Sequence, residues 1–173
     1  SFARTDRLVA LSEADRAYAI EKHLYTRGMT AVVEPGLDVE YRRTIGQASG
    51  QRDDTVCFTG SWLPRKATSA IVTAMTGVLQ GHTAARFEIF GAAGDVARIM
   101  QSFPADLRPR IMVHPVLSAA DMAARLRSAK VFLFPSEYEG FGLALAEAMA
   151  CGLAAVTTPT GLGASLQHGS EAL

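Results

Sequence analysis

The chain has 173 residues, enough for one domain with its own core or for one domain plus a fragment of another. Seventeen basic residues balance seventeen acidic ones, eight against nine over residues 1–54 and nine against eight beyond; this excludes a basic face broad enough to drive nucleic-acid binding, and an acidic tail. Apolar residues make up 49% and aromatics only 8%, a mix that suits helices packed closely on a sheet and not disorder.

Residues 7–11 form a short apolar run ending at Ser12, which can cap a helix over residues 13–23 with Glu13 and Asp15 in its first turn. Gly28 closes this unit, and a second β-branched run over residues 31–33 stops at Pro35-Gly36. Residues 41–54 are polar, contain Gly and Ser, and show no period, so they read as a linker. A regular alternation follows. Strands are expected over residues 55–59, 86–90, 110–114, 130–134 and 154–158. Helices are expected between them over residues 66–79, 95–103, 119–129 (capped by Ser118) and 142–150. Strands apolar throughout, alternating with helices, predict an α/β fold: a doubly wound parallel sheet covered on both faces. Ligands of such sheets sit beyond the carboxyl ends of the strands.

No stretch reaches the roughly 18 uninterrupted apolar residues of a spanning helix; the nearest, residues 141–156, is broken by Glu147. The N-terminus lacks the apolar core of a signal peptide, and without an initiator Met the chain reads as either processed or excised from a longer one, while the composition reads as soluble, globular and intracellular, with the cytoplasm as the expected place. Cys57 and Cys151 have neither metal-ligand spacing nor a disulfide framework, and are expected as small core residues in a reducing compartment.

The first strand-to-helix turn runs Gly60-Ser61-Trp62-Leu63-Pro64-Arg65-Lys66-Ala67. It places a lysine at a helix opening, where free N–H groups favour an anion. It is not a P-loop, because Arg65 stands where a glycine is required and Ala67 where a Ser or Thr would hold magnesium. Lys66, with Arg65, is a candidate phosphate ligand; a solvated basic pair is the other reading. Trp62 is expected to cover apolar surface beside this turn. His114 before Pro115 is either packed against its neighbours or part of a site, and His168 is expected at the surface.

The most informative segment is Pro135-Ser136-Glu137-Tyr138-Glu139-Gly140-Phe141-Gly142-Leu143-Ala144-Leu145-Ala146-Glu147-Ala148-Met149-Ala150. Gly140 and Gly142 permit a sharp turn and a close approach to a ligand. The helix start then presents free donors. Glu147, in the middle of an apolar helix, is costly to bury without a partner. If the eight residues from Glu139 to Glu147 are helical they rise about 12 Å. That is too far for a glycosidase carboxylate pair, at about 5 to 9.5 Å, but suits gripping two ends of an elongated ligand. A surface glutamate plus a paired core glutamate is the alternative.

Glu139 to Glu147 within this segment resembles the E-x7-E signature of retaining GT-B glycosyltransferases of glycosyltransferase family 4, group 1. The flanks resemble the family too: the strand of residues 131–134 before it, Cys151-Gly152 and the turn through Thr160-Gly161 after it, and the stretch from Phe58 to Lys66 upstream. The resemblance implies that Glu147 holds the ribose hydroxyls of a nucleotide, and that Glu139 with Gly140, Phe141, Gly142 and Leu143 contacts the donor sugar. It further implies that Lys66, in the turn from Gly60, neutralises a diphosphate without a metal, with Lys66 and Glu139 as the catalytic pair. The loop carrying His114 and Val116 would border the base. One position departs from the family: Ser61 stands where an Arg often follows the first glycine, leaving Arg65 as the candidate replacement.

On this resemblance residues 1–44 would be the end of a preceding domain and the interdomain segment, residues 45–54 a linker, and residues 55–173 a nucleotide-sugar-binding, Rossmann-like half of a GT-B fold, cut short at its C-terminus. The longer protein would be a hexosyltransferase needing no cofactor. It would take a nucleotide diphosphate-sugar as donor and a saccharide or lipid-linked acceptor, the latter through the missing domain, and could work at the inner face of a membrane. The isolated chain would bind nucleotide without transferring sugar. A sugar-nucleotide epimerase or phosphorylase on the same scaffold, and a non-catalytic nucleotide-sugar-binding module, are the rival readings.

Overall fold

Ser12 ends the first apolar run, and its hydroxyl oxygen accepts the Asp15 N–H at 3.2 Å, so the chain turns at once into a helix. The computed structural model describes residues 5–46 and 50–173. Strand β1 (Leu8–Ala10) leads into α1 (Glu13–Glu21), and β2 (Thr30–Val32) returns to pair parallel with β1. Helix α2 (Val39–Arg42) follows, started by the Asp38 carboxylate, which accepts the Glu40 N–H at 2.9 Å. Tyr41 and Arg42 are thus helical although the sequence around them shows no period, because a single turn is too short to display one.

Of residues 45–54, expected as a linker, residues 47–49 lie outside the described residues. Arg52 is anchored: its guanidinium donates to the carbonyls of Ala129 (2.6 Å) and Cys151 (2.7 Å). Asp53 and Asp54 already belong to β3 (Asp53–Thr59).

Beyond it come α3 (Thr68–Gly81), β4 (Arg86–Phe90), α4 (Val96–Gln101), β5 (Ile111–Val113), α5 (Ala119–Ser128), β6 (Ala129–Phe134), α6 (Leu143–Ala150) and β7 (Ala154–Thr157). Their five strands form one parallel sheet in the order β5-β4-β3-β6-β7. The chain steps outward from β3 to β5, then crosses back to build the other half from β6. The gap between β3 and β6 at the carboxyl edge is therefore the topological switch point, where ligands of open α/β sheets bind.

Strand alternation divides the core between the two faces. Phe58, Phe87, Ile89 and Leu133 pack with Ile71, Met75 and Leu79 of α3 and Ile99 of α4. Cys57, Phe90, Phe132 and Phe134 pack on the other face with Tyr41 of α2, Met122 and Leu126 of α5, and Leu145 and Ala148 of α6. Both cysteines are buried and free. Each fully buried phenylalanine contributes up to about 3 kcal/mol. Among the described residues no helix is long and apolar enough to cross a membrane.

One element starts differently from its expectation. In place of a continuous helix from Lys66, a short 3-10 turn over Pro64–Lys66 is followed by Ala67 in the left-handed region, φ 52°, and α3 begins only at Thr68. The proline sets φ for the tight turn. The left-handed residue then re-aims the chain before the α-helix can begin, at about 1–2 kcal/mol for a residue with a Cβ.

Candidate functional site

Lys66 owes its position to that break. Its side chain is not at the start of α3 but folds back over the sheet edge, 7% exposed overall, with its ammonium 4.8 Å above the Phe134 ring and ion-paired to Glu139. Gly60 makes the path possible. Its φ of 147° lies where only glycine is comfortable, and a Cβ there would sit 3.3 Å from Lys66 Cε and 3.4 Å from the Phe58 ring. The Gly60 N–H donates to the Phe90 carbonyl at 2.9 Å, locking the turn to the neighbouring strand end. A further backbone bond, Glu137 N–H to the Arg65 carbonyl at 2.9 Å, ties the loop after β3 to the loop after β6. Arg65 itself points to solvent and makes no ion pair among the described residues, and Ser61 is exposed beside it. Trp62 is buried against the same turn, edge-on to Phe58 with ring centroids 5.8 Å apart.

The loop after β6 is shaped from both sides. Gly142, at φ 90°, caps α6, and the N–H groups of Gly140, Phe141, Gly142, Leu143 and Ala144 donate to no backbone carbonyl among the described residues. Five free donors beside the Lys66 ammonium suit an anion or an array of hydroxyls. The Phe141 carbonyl is instead engaged by the Leu162 N–H at 2.6 Å. This bond brings the turn at Gly161 under the loop so closely that a methyl group on Gly161 would overlap the Phe141 carbonyl and lie 3.2 Å from Glu139 Cβ. At the front Asp15 of α1 reaches the loop, 3.4 Å from where a Cβ on Gly140 would lie, and accepts from the Tyr138 hydroxyl at 3.3 Å.

Gly161→Ala is therefore expected to destabilise the protein by about 2 kcal/mol or more, through its positive φ and the backbone overlap. It is also expected to displace Glu139 from Lys66. Urea denaturation measures the first effect; a midpoint within experimental error of the parent's would contradict it.

Glu147 lies one turn into α6, on a cleft of about 160 Å3 at the carboxyl ends of β3 and β4. The cleft is lined by Tyr41, Thr59, Phe90, Val116, Met122 and Glu147, among others. Burial, and second to it the Asp38 carboxylate, push the Glu147 carboxyl up to about 6. No cation or hydrogen-bond donor among the described residues meets it. Only residues from Leu143 onward are helical, so the 12 Å helical rise expected between Glu139 and Glu147 does not describe their separation, which spans a loop and one turn.

Val116 is 86% exposed at the rim of this cleft. His114 sits beneath it: the ring stacks on Phe90 with centroids 4.6 Å apart, and Nε2 is 3.0 Å from Glu88 Oε2. The histidine supports the loop from below. His168 is exposed in the C-terminal turn.

The structure thus brings Gly60, Lys66, Glu139, Gly140, Phe141, Gly142 and Leu143 to one place and puts Val116 with Glu147 at an adjoining one. It leaves Arg65 on the outer surface and His114 in the layer below. Reading the sequence alone missed three contributors. Gly161 was visible only as part of a flanking turn, Thr59 only as a strand end, and Tyr41 only as an aromatic in a polar stretch. Among the described residues no group of three or more His, Cys, Asp or Glu side chains is gathered as a metal site.

Residues 53–173 match the family model of the glycosyl transferases group 1. A D-inositol 3-phosphate glycosyltransferase of Segniliparus rotundus is 25% identical over 171 residues, covering 92% of this chain and 38% of the relative. Its counterpart in Kineococcus radiotolerans is 27% identical over 176 residues, covering 90% and 40%. The chain spans about two fifths of the length of these curated relatives. Among solved structures, a mutant of S. aureus TarM whose crystal contains UDP aligns with a TM-score of 0.74 at 17% identity, over 94% of this chain and 31% of that one. HepE of Anabaena, in complex with UDP and glucose, aligns with a TM-score of 0.74 at 20% identity, over 95% and 48%. At these identities the likeness to solved structures is one of fold.

Proposed function

The chain belongs to the glycosyl transferases group 1 family, and from that premise we propose that it is the donor-binding half of a retaining GT-B glycosyltransferase, which moves a sugar from a nucleotide diphosphate-sugar to an acceptor hydroxyl. One observation carries the reading. At the switch point lie a buried lysine, the Glu139 carboxylate and five backbone N–H groups unpaired among the described residues, with the Glu147 carboxylate in the adjoining cleft along the same edge of the sheet.

Each group has a task in this reading. The Glu147 carboxylate accepts hydrogen bonds from the ribose hydroxyls. The diphosphate lies between the Lys66 ammonium and the N–H groups at the start of α6. Glu139, which holds Lys66 without donor, turns to accept from a sugar hydroxyl once the phosphates have taken its partner. As the glycosidic bond stretches, negative charge grows on the leaving diphosphate. A cation and dipoles already in place stabilise that charge without reorganising, an effect worth several kcal/mol where water is excluded. The positive charge comes from the protein, so the proposed reaction needs no metal and no cofactor. The acceptor, a saccharide or a lipid-linked one, is bound by a preceding domain; the protein works in the cytoplasm or at the inner face of a membrane.

A thermal-shift panel of UDP, GDP and ADP, each free and as its sugar conjugate, tests the reading. A ligand at 100 times its Kd stabilises by about 2.7 kcal/mol, which is about 5–10 °C in a domain of this size. At least one nucleotide is expected to give such a shift. Flat melts across the panel at millimolar ligand would sink the proposal.

A further inference from the structure

Large exposed side chains gather where α1 faces the loop after β6. Tyr18 is 59% exposed, Tyr138 61% and Leu11 46%, and Leu11 Cδ1 lies 3.9 Å from where a Cβ on Gly140 would be. Asp15 stands between the two tyrosines. One of its carboxylate oxygens accepts from the Tyr138 hydroxyl at 3.3 Å and the other lies against Gly140, while Tyr18 follows one turn further along the same face of α1. Lys22, one turn beyond that, holds its ammonium 5.5 Å from the centroid of the Tyr18 ring. Asp15 makes no ion pair among the described residues, and burial raises its carboxyl above the usual carboxylate range. Single apolar residues at a surface need no explanation, but aromatic rings gathered about an uncompensated carboxylate do.

We infer that Tyr18, Tyr138 and Asp15 form a platform for an uncharged saccharide, the acceptor of the transfer. This rests on the donor-binding reading above and names what occupies the open side of that site. A sugar ring has C–H faces and a rim of hydroxyls. Tyrosine offers a flat apolar face with a polar tip, and a carboxylate oxygen without a donor accepts from a hydroxyl. The place fits as well. Gly140, which Asp15 adjoins, and Glu139, next to Tyr138, belong to the loop that the reading gives to the donor sugar, so a saccharide on the platform lies beside the sugar it is to receive. The local charge argues against an anionic occupant: Asp15 and Glu139 both bear on the Tyr138 hydroxyl, with Lys22 at the far end. A phosphate headgroup or an anionic membrane surface would be repelled there.

The test titrates the methyl glycosides of glucose, galactose, mannose and N-acetylglucosamine into the chain saturated with the best-bound of UDP, GDP and ADP, followed by NMR of the tyrosine rings. At least one glycoside is expected to shift the Tyr18 and Tyr138 signals saturably. Tyr18→Ala and Asp15→Ala are each expected to weaken that glycoside about fivefold. Tyr138→Phe, which keeps the ring and removes the hold on Asp15, should stay within about threefold, and nucleotide affinity should stay within twofold in Tyr18→Ala. Three results would overturn the inference and leave the donor-binding reading intact: a nucleotide-bound parent that answers to no glycoside, a chain that sediments with phosphatidylglycerol vesicles instead, or parent-like glycoside affinity in both alanine variants. Equal losses in Asp15→Ala and Tyr138→Phe with none in Tyr18→Ala would make Asp15 a prop for the loop and also overturn it. A parent that binds none of the three nucleotides would overturn the donor-binding reading and this inference with it.

Discussion

Lys66→Met is expected to lower stability by about 3 kcal/mol and nucleoside diphosphate affinity by about 10- to 100-fold, through two separable effects. The stability loss comes from Glu139. The two side chains are 9% and 12% exposed, and removing one member of a buried ion pair leaves the other charged and unsolvated, at about 3–5 kcal/mol. In a chain of 173 residues that corresponds to a fall in Tm of about 6–12 °C. The affinity loss comes from the missing ammonium, since a hydrogen bond to a charged group is worth about 1.5–3 kcal/mol. Lys66→Met combined with Glu139→Gln separates the two. The neutral amide no longer needs a cation, so much of the lost Tm should return in the double variant, while affinity for the diphosphate stays low. Thermal melts and calorimetry on the parent and both variants measure this. Recovery of nucleotide affinity in the double variant would remove Lys66 from the phosphate site.

The contrast between the two halves of that prediction shows what could be read from the sequence. The sheet was legible because β3, β4 and β6 are buried on both faces and leave apolar runs of strand length between helices. The caps at Ser12 and Ser118 were legible because a hydroxyl accepting an N–H three residues on is a local event. The pairing of Lys66 with Glu139 is not local. Seventy-three residues separate the two, and only the strand order, with β3 beside β6, makes them neighbours. The route by which Lys66 arrives was hidden too: a left-handed Ala67 carries no sequence signal, since alanine ordinarily favours the α-helix. Thr59 was visible as a letter, but a buried hydroxyl without a partner is a property of its surroundings. Gly161 needed the third dimension as well, because what demands a glycine there is the carbonyl of Phe141, twenty residues earlier in the chain.

Glu147→Gln is expected to make the unliganded protein more stable and a worse binder, a combination diagnostic of a group kept for its ligand. The carboxyl titrates near 6 in the folded chain against an ordinary value of 4.5, pushed up by burial and by Asp38. An acid whose pKa is raised by folding opposes folding once it is ionised. The cost is absent below the unfolded value of 4.5, grows between 4.5 and about 6, and is complete above that. With allowance for solvent screening at a partly exposed group, Glu147→Gln should gain about 1 kcal/mol at pH 7, or about 2–4 °C in Tm. Near pH 4.5 the two proteins should melt together.

Binding runs the opposite way. The ionised carboxylate is the acceptor for two hydroxyls, so affinity should be flat above about pH 7 and fall as the pH drops through 6, approaching about tenfold per unit as the bound proton must be displaced. A nucleotide-sugar is the ligand to use, because its diphosphate carries no group that titrates in this range. The glutamine variant should bind about tenfold or more weakly at pH 7 and show no slope. Parallel pH profiles for parent and variant would place the titration elsewhere and detach Glu147 from the ligand. A stabilised variant with a flat, weakened profile would mean that the uncompensated carboxylate of this cleft is held in wait for the same molecule that Lys66 grips at its other end.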